Sequence, residues 1–170
     1  MKETPQDYTK RILGHTEGQD ALKVQFGTAK KLKRLIKGQA TSKLRKRPAP
    51  GKWSVVEILA HLADTELVVG WRMRQILGAP GTPIQAFDQD SWADACHYDK
   101  RDPRKSVEQF RVQREANLAL LKSLSPEQWM HHGMHVERGK ETIEHITRMM
   151  AGHDLNHIPQ IERAIARNRS

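Results

Sequence analysis

ETIEHITRMMAGHDLNHIPQIERAIA, residues 141–166, carries the period that decides the fold. Ile143, Ile146, Met150, His153, His157, Ile161 and Ala164 recur at steps of three and four residues. At about 100° per residue they share roughly a quarter of a helix circumference, so the segment reads as a helix with one buried stripe. Two imidazoles sit in the middle of that stripe. Buried ring nitrogens are costly unless each finds a partner. Residues four apart lie one above the other on a helix, so one metal ion bridging both rings removes the cost. A pair of core histidines bonded to side chains of facing helices removes it equally well. Pro159, two residues after His157, deletes a backbone hydrogen bond and crowds the carbonyl of Leu155, so the helix either kinks there or ends early.

Working outward, GKWSVVEILAHLADTELVVGWRMRQIL reads as a second long helix over residues 54–77. Ser54 is a good N-cap, and Glu57, three residues on, is its capping-box partner. The apolar face runs through Val55, Ile58, Leu62, Thr65, Val69, Met73 and Ile76, with His61 at its edge, where a bundle helix meets its neighbour. A lone histidine there is ordinarily structural. Beside an H-x3-H pair on another long helix, it allows three imidazoles to converge inside a bundle. Three histidines without a fourth protein ligand match the open coordination of a catalytic metal rather than the closed four-ligand shell of a structural one. Zinc, nickel, iron and copper all suit such a donor set.

Two more helical patterns complete the set, over residues 20–37 and 106–124; the latter places Val107, Phe110, Arg114, Asn117, Leu118 and Leu121 on one face. Residues 1–19 leave room for a short helix. The connection GAPGTPIQAFDQDSWADACHYDKRDP is too long for a hairpin between neighbouring helices and should cross an end of the bundle. Strand signals are nearly absent, and residues 129–140 read as loop. The expectation is an all-α four-helix bundle with long crossover connections, one domain over residues 1–170.

The formal charge of +9 is concentrated. Residues 21–52 hold eleven Lys or Arg and no Asp or Glu, leaving eighteen basic against twenty acidic residues elsewhere. Part of this stretch is helix, and residues 38–52 read as a mobile basic loop. A solvated face explains it; attraction of an anionic substrate or non-specific nucleic-acid contact are the functional readings. Only Phe26 and Trp53 offer stacking surface there, which makes nucleic acid the weaker one. The start, MKETPQDYTK, is polar and no long apolar run exists, so neither a signal peptide nor a membrane span is expected, and a cytoplasmic protein is. The lone Cys96, flanked by Asp94 and Asp99, reads as a buried or half-buried unreactive thiol.

Six segments in order resemble one family: WSVVEILAHLAD (53–64), FDQDSW (87–92), FRVQR (110–114), SPEQW (125–129), HVERGKETI (135–143) and HDLNHIPQI (153–161). Together they resemble the DinB/YfiT-like metalloenzymes over residues 50–165. The resemblance implies a four-helix bundle that binds one divalent metal, zinc or nickel, through His61, His153 and His157. It also implies a transferase or isomerase that uses a low-molecular-weight thiol on a small-molecule substrate, in a chain that can pair as a homodimer; an ion in an open three-histidine site supports a hydrolase equally. The alternatives are a non-enzymatic, stress-related metal-binding protein and, more remotely, a nucleic-acid-associated factor using Lys43, Arg45, Lys46 and Arg47.

The other histidines have to be weighed as decoys. His131 and His135 share the H-x3-H spacing, but Gly133 interrupts them in what reads as loop; His135 could still approach the cavity. His145 is offset from the stripe and reads as surface. Near the candidate ligands, Glu57 and Asp64 lie one turn either side of His61, Asp154 follows His153, and Gln160 follows His157 by three. Any of these could orient an imidazole by accepting its second N–H or bind a substrate group.

Overall fold

The computed structural model describes residues 3–168. Among the described residues, eight α-helices run in order: α1 (Pro5–Gly14), α2 (Ala21–Ile36), α3 (Thr41–Arg45), α4 (Val55–Gly78), α5 (Gln89–Ala95), α6 (Pro103–Lys122), α7 (Pro126–Trp129) and α8 (Ile143–Arg167). The four long ones close a ring in which α2 and α4 each pack against both α6 and α8. The chain is a four-helix bundle with long crossover connections. α2 and α4, consecutive among the long helices, stand on opposite sides of the ring, so the segment between them must cross the bundle.

Helix starts follow the local chemistry. Ser54 and Glu57 make both bonds of the capping box: the Glu57 N–H donates to Ser54 Oγ at 3.3 Å, and the Ser54 N–H to Glu57 Oε2 at 2.7 Å. Asp102 caps α6, with Pro103 filling the first turn where its missing N–H costs nothing. Thr142 caps α8 by accepting from the His145 N–H. α8 does not end at Pro159 but continues to Arg167.

Two apolar clusters fill the ends of the bundle. One contains Leu32, Ile36, Leu59, Leu62, Phe110 and Ile161; the other contains Val69, Met73, Ile76, Leu118, Leu121 and Ile146. Between them every long helix contributes buried polar side chains: Gln25 and Thr28 from α2, Thr65 and Glu66 from α4, Arg114 and Asn117 from α6, His153 and Asp154 from α8. The middle layer of this bundle is polar.

Three expectations need correction. Residues 129–140 are not plain loop: β1 (Pro83–Ile84), β2 (His132–His135) and β3 (Gly139–Thr142) form a small sheet, with β1 parallel and β3 antiparallel to β2. Strands of two to four residues are too short to show a period of two. Gly133 belongs to this sheet, because a Cβ there would lie 2.6 Å from Ile84 Cδ1. The basic stretch after α2 is not loop throughout, since Thr41–Arg45 forms a helix anchored by the buried Leu44. Cys96 is exposed at the end of α5 rather than buried, because that short helix buries only Ala93.

Candidate metal centre

His61 on α4 and His153 and His157 on α8 meet between the two helices, each buried. One ring nitrogen from each lies within 4.8 Å of the other two. His61 Nε2 and His153 Nε2 are 3.0 Å apart, and the His153 and His157 ring centroids are 4.4 Å apart. Burial, joined by the neighbouring imidazoles, drives the His61 and His153 pKa values well below the ordinary 6.5. Burial also lowers that of His157 to about 4. All three rings are therefore neutral at physiological pH and offer lone pairs, the form in which imidazole ligates metals. Ions held by imidazole nitrogens at about 2.0–2.1 Å in tetrahedral geometry keep those nitrogens roughly 3.3 Å apart, so the donor set fits a divalent ion. His153 turns Nε2 towards the trio, and its Nδ1 is buried with no hydrogen-bond partner among the described residues.

The polar layer surrounds this trio. Arg114, fully buried, meets Asp154 Oδ2 at 2.6 Å through Nη1 and Glu66 Oε2 at 2.9 Å through Nη2. Burial works to lower its pKa, but Asp154 and Glu66 reverse that and raise it. Thr28 Oγ1 adds a 2.8 Å bond to Asp154 Oδ2.

Of the four side chains expected near the imidazoles, Gln160 reaches one: its Oε1 accepts from His157 Nδ1 at 2.9 Å, leaving His157 Nε2 free. The three carboxylates meet guanidinium groups instead. Glu57 binds Arg47 and the Ser54 N–H, Asp64 receives both Nη groups of Arg101 at 2.8 and 3.0 Å, and Asp154 receives Arg114. Thr65, one turn after His61, lies 3.5 Å from His61 Nδ1. His135 stands apart in β2, its Nδ1 accepting the N–H groups of Glu137 and Arg138 across the hairpin turn. It does not line the cavity, and neither His131 nor His132 joins the cluster. His145 is half-buried, 3.9 Å from Glu141 Oε1, rather than plainly at the surface.

Two cavities meet at the trio. The first, of about 400 Å³, is lined by His61 and His153 together with Thr65, Val69, Arg72 and Met150. The second, of about 470 Å³, is lined by His157 and Gln160 and carries Arg11, Lys52, Arg163 and Arg167 against the single acid Asp90. Tyr8 and Gln89 line both. Tyr8 comes from α1, which lies so close to α8 that a Cβ on Gly152 would sit 2.1 Å from the Ile12 carbonyl oxygen. Sequence reasoning missed Tyr8, Arg72, Arg138 and Glu141. Arg138 and Glu141 lie within the segment 135–143 that carried the resemblance, and Arg72 lies eleven residues from His61 on the same helix face.

Residues 27–161 match the DinB superfamily. The chain belongs to the DinB superfamily. Among its DinB relatives are OB0413 of Oceanobacillus iheyensis and YfiT of Bacillus subtilis strain 168, both carrying the name "Putative metal-dependent hydrolase". OB0413 is 25% identical over 126 residues, 74% of this chain and 72% of the relative. YfiT is 26% identical over 133 residues, 77% of this chain and 74% of the relative. The solved structure of Bacillus subtilis YfiT, described as an unusual four-helix bundle topology, superposes with a TM-score of 0.77 at 23% identity, covering 86% of each chain. The mycothiol-dependent maleylpyruvate isomerase gives a TM-score of 0.65 at 12% identity, covering 83% of this chain and 59% of that one. These two likenesses establish a shared fold. Among the described residues, no helix is long and apolar enough to cross a membrane.

Proposed function

We propose that His61, His153 and His157 hold one divalent metal ion, zinc or nickel, and that the chain uses it to transfer a thiol to a small electrophile or to hydrolyse one. One observation carries the reading: three buried neutral imidazoles converge within 4.8 Å where two cavities meet. When bound there, a divalent ion supplies Lewis acidity, easing loss of a nucleophile's proton and polarising the electrophile.

The chain's own residues do the rest. Gln160 fixes the tautomer and orientation of His157. The Arg114 network ties α8 to α4 and α6 beside His153. Tyr8, whose phenol holds its proton above the ordinary range because of burial, offers a hydrogen-bond donor in the wall shared by both cavities.

The presence of two cavities favours two reactants over one reactant and water. The cationic lining beside His157 suits an anionic low-molecular-weight thiol, and the exposed Cys96 is no substitute, because it lines neither cavity. A soluble thiol kept reduced implies the cytoplasm. A purely structural metal in a non-enzymatic, stress-related protein fits less well, since all three imidazoles line one or other of the two cavities. The nucleic-acid reading loses two of its four basic side chains to the fold: Arg45 donates to the Asp99 and Lys100 carbonyls, and Arg47 pairs with Glu57.

The test is turnover of activated esters, epoxides and alkyl halides by metal-loaded and chelated protein, with and without an anionic thiol. Metal-dependent, thiol-dependent turnover supports transfer, and thiol-independent turnover supports hydrolysis. No metal-dependent turnover under either condition contradicts an enzyme acting on these electrophiles.

A further inference from the structure

Arg72 is a cation that the fold buries without an acid to neutralise it. It lies on α4, only 8% exposed, and lines the same cavity as His61 and His153. Its Nη2 donates to the Gln85 carbonyl, and its guanidinium carbon lies 5.7 Å from the Phe87 ring centre. No carboxylate lies within ion-pairing distance of it among the described residues. The nearest claimant, Glu141, is bound by Arg138 at 2.6 and 3.2 Å. Of the other acids in the lining, Glu3 is held by Arg11 at 2.7 and 2.9 Å, and Glu137 is exposed. Burial and the charge of Arg138 lower the Arg72 pKa to about 10, which still leaves it charged at neutral pH. No Arg72 nitrogen is a buried atom without a partner, so the donors that the Gln85 carbonyl leaves over open into the cavity, where an anion would complete a guanidinium that already has a neighbouring cation.

The position of Arg72 says where that anion belongs. His61, Thr65, Val69 and Arg72 all line the cavity, at steps of four, four and three along α4. Eleven residues bring the helix back within about 20° of its starting direction and advance it about 16 Å. The facing wall carries Ile146, Met149, Met150 and His153 of α8. Val69, Ile146, Met149 and Met150 thus form an apolar strip of the wall, with imidazoles at one end and a guanidinium towards the other, while Glu3, Glu137, Arg138 and Glu141 line the rest.

We propose that Arg72 is a substrate-binding residue, and that the substrate of this cavity is a small amphiphile whose anionic end, carboxylate or phosphate, pairs with Arg72 while its apolar body lies along Val69, Ile146 and Met150. The inference rests on the reading of the imidazole end as the reacting end, but the anion site itself requires no metal. Its test therefore uses chelated protein. Titration calorimetry with hexanoate, hexyl phosphate and the neutral hexanamide should give at least a tenfold preference for one of the anions, and which of the two is preferred identifies the headgroup. Arg72→Gln should bring the preference close to one, while the exposed-surface change Lys33→Gln should leave it. Equal binding of hexanoate, hexyl phosphate and hexanamide, or an undiminished preference in R72Q, would overturn the proposal. Should R72Q fail to fold, the Arg72 Nε–H resonance of the labelled native chain decides. It shifts saturably with the preferred anion if the proposal holds, and stays fixed if it does not. Metal analysis of the same preparation before chelation reads the metal proposal separately.

Discussion

His61 Nε2 and His153 Nε2 face each other at 3.0 Å across the contact between α4 and α8. Neither ring belongs to a charged pair, and both are too buried to carry a proton readily. Without a cation, at most one proton can sit between two such nitrogens, and the third ring nearby makes a second one still less favourable.

That arrangement fixes a pH dependence for the chelated protein. The folded-state pKa values of all three imidazoles lie below the unfolded value near 6.5, with that of His157 at about 4. The unfolded chain therefore binds more protons between those limits, and stability falls as pH drops below about 6.5. At pH 5 the loss from His157 alone is about 2 kcal/mol. Urea midpoints at pH 7.5 and 5 should show the fall, and His157→Gln should reduce it. A pH-independent midpoint would contradict the burial of neutral rings.

The buried Arg114–Asp154 pair predicts a large effect from a single deletion. Asp154→Ala leaves Arg114 with Glu66 as its one carboxylate and the Thr28 hydroxyl with only the Val24 carbonyl as acceptor. Breaking a buried pair from one side typically costs about 3–5 kcal/mol. Denaturant unfolding at neutral pH measures it, and a cost under about 1 kcal/mol would show that the polar layer contributes little.

Two glycines should respond in opposite directions. Gly152→Ala forces a methyl group against the Ile12 carbonyl and should cost about 1–3 kcal/mol by displacing α1. Gly27→Ala meets nothing within 4 Å in the interior of α2 and should stabilise by about 0.5–1 kcal/mol. Thermal melts of both variants check the sign. A neutral Gly152→Ala would mean that α1 is not held tightly over the trio.

The long helices and the imidazole cluster were legible because both follow a single period. Every residue read onto the inner face of residues 106–124 is buried, and the capping box at Ser54 and Glu57 forms both its bonds. The remainder depended on tertiary placement. Glu57 and Asp64 lie one turn from His61 in sequence, yet guanidinium groups from Arg47 and Arg101 claim them. Sequence distance to a ring says nothing about a basic residue arriving from elsewhere. Arg72 escaped because the inner face of α4 was read from its apolar residues alone, and Tyr8 because α1 comes from a separate segment laid over the bundle. The small sheet escaped because its strands are too short to show a period of two, and because β1 reaches β2 from a distant segment, with Pro83 against Met134.

An accessible metal centre should respond to exogenous ligands. In cobalt-loaded protein, azide or a small thiol should change the visible spectrum, and removing the metal should leave helical circular dichroism largely intact, because two apolar clusters hold the bundle without it. Loss of helicity on chelation with no response to azide would instead mark a closed structural site.

The central claim is that the three imidazoles together hold one ion, and elemental analysis of protein purified without an affinity tag or added metal tests it most directly. The account predicts close to one divalent ion per chain in the native protein and in His131→Ala, with occupancy collapsing in His61→Ala, His153→Ala and His157→Ala. Full occupancy in folded His153→Ala protein, or no metal in the native chain even after incubation with zinc or nickel, would contradict it.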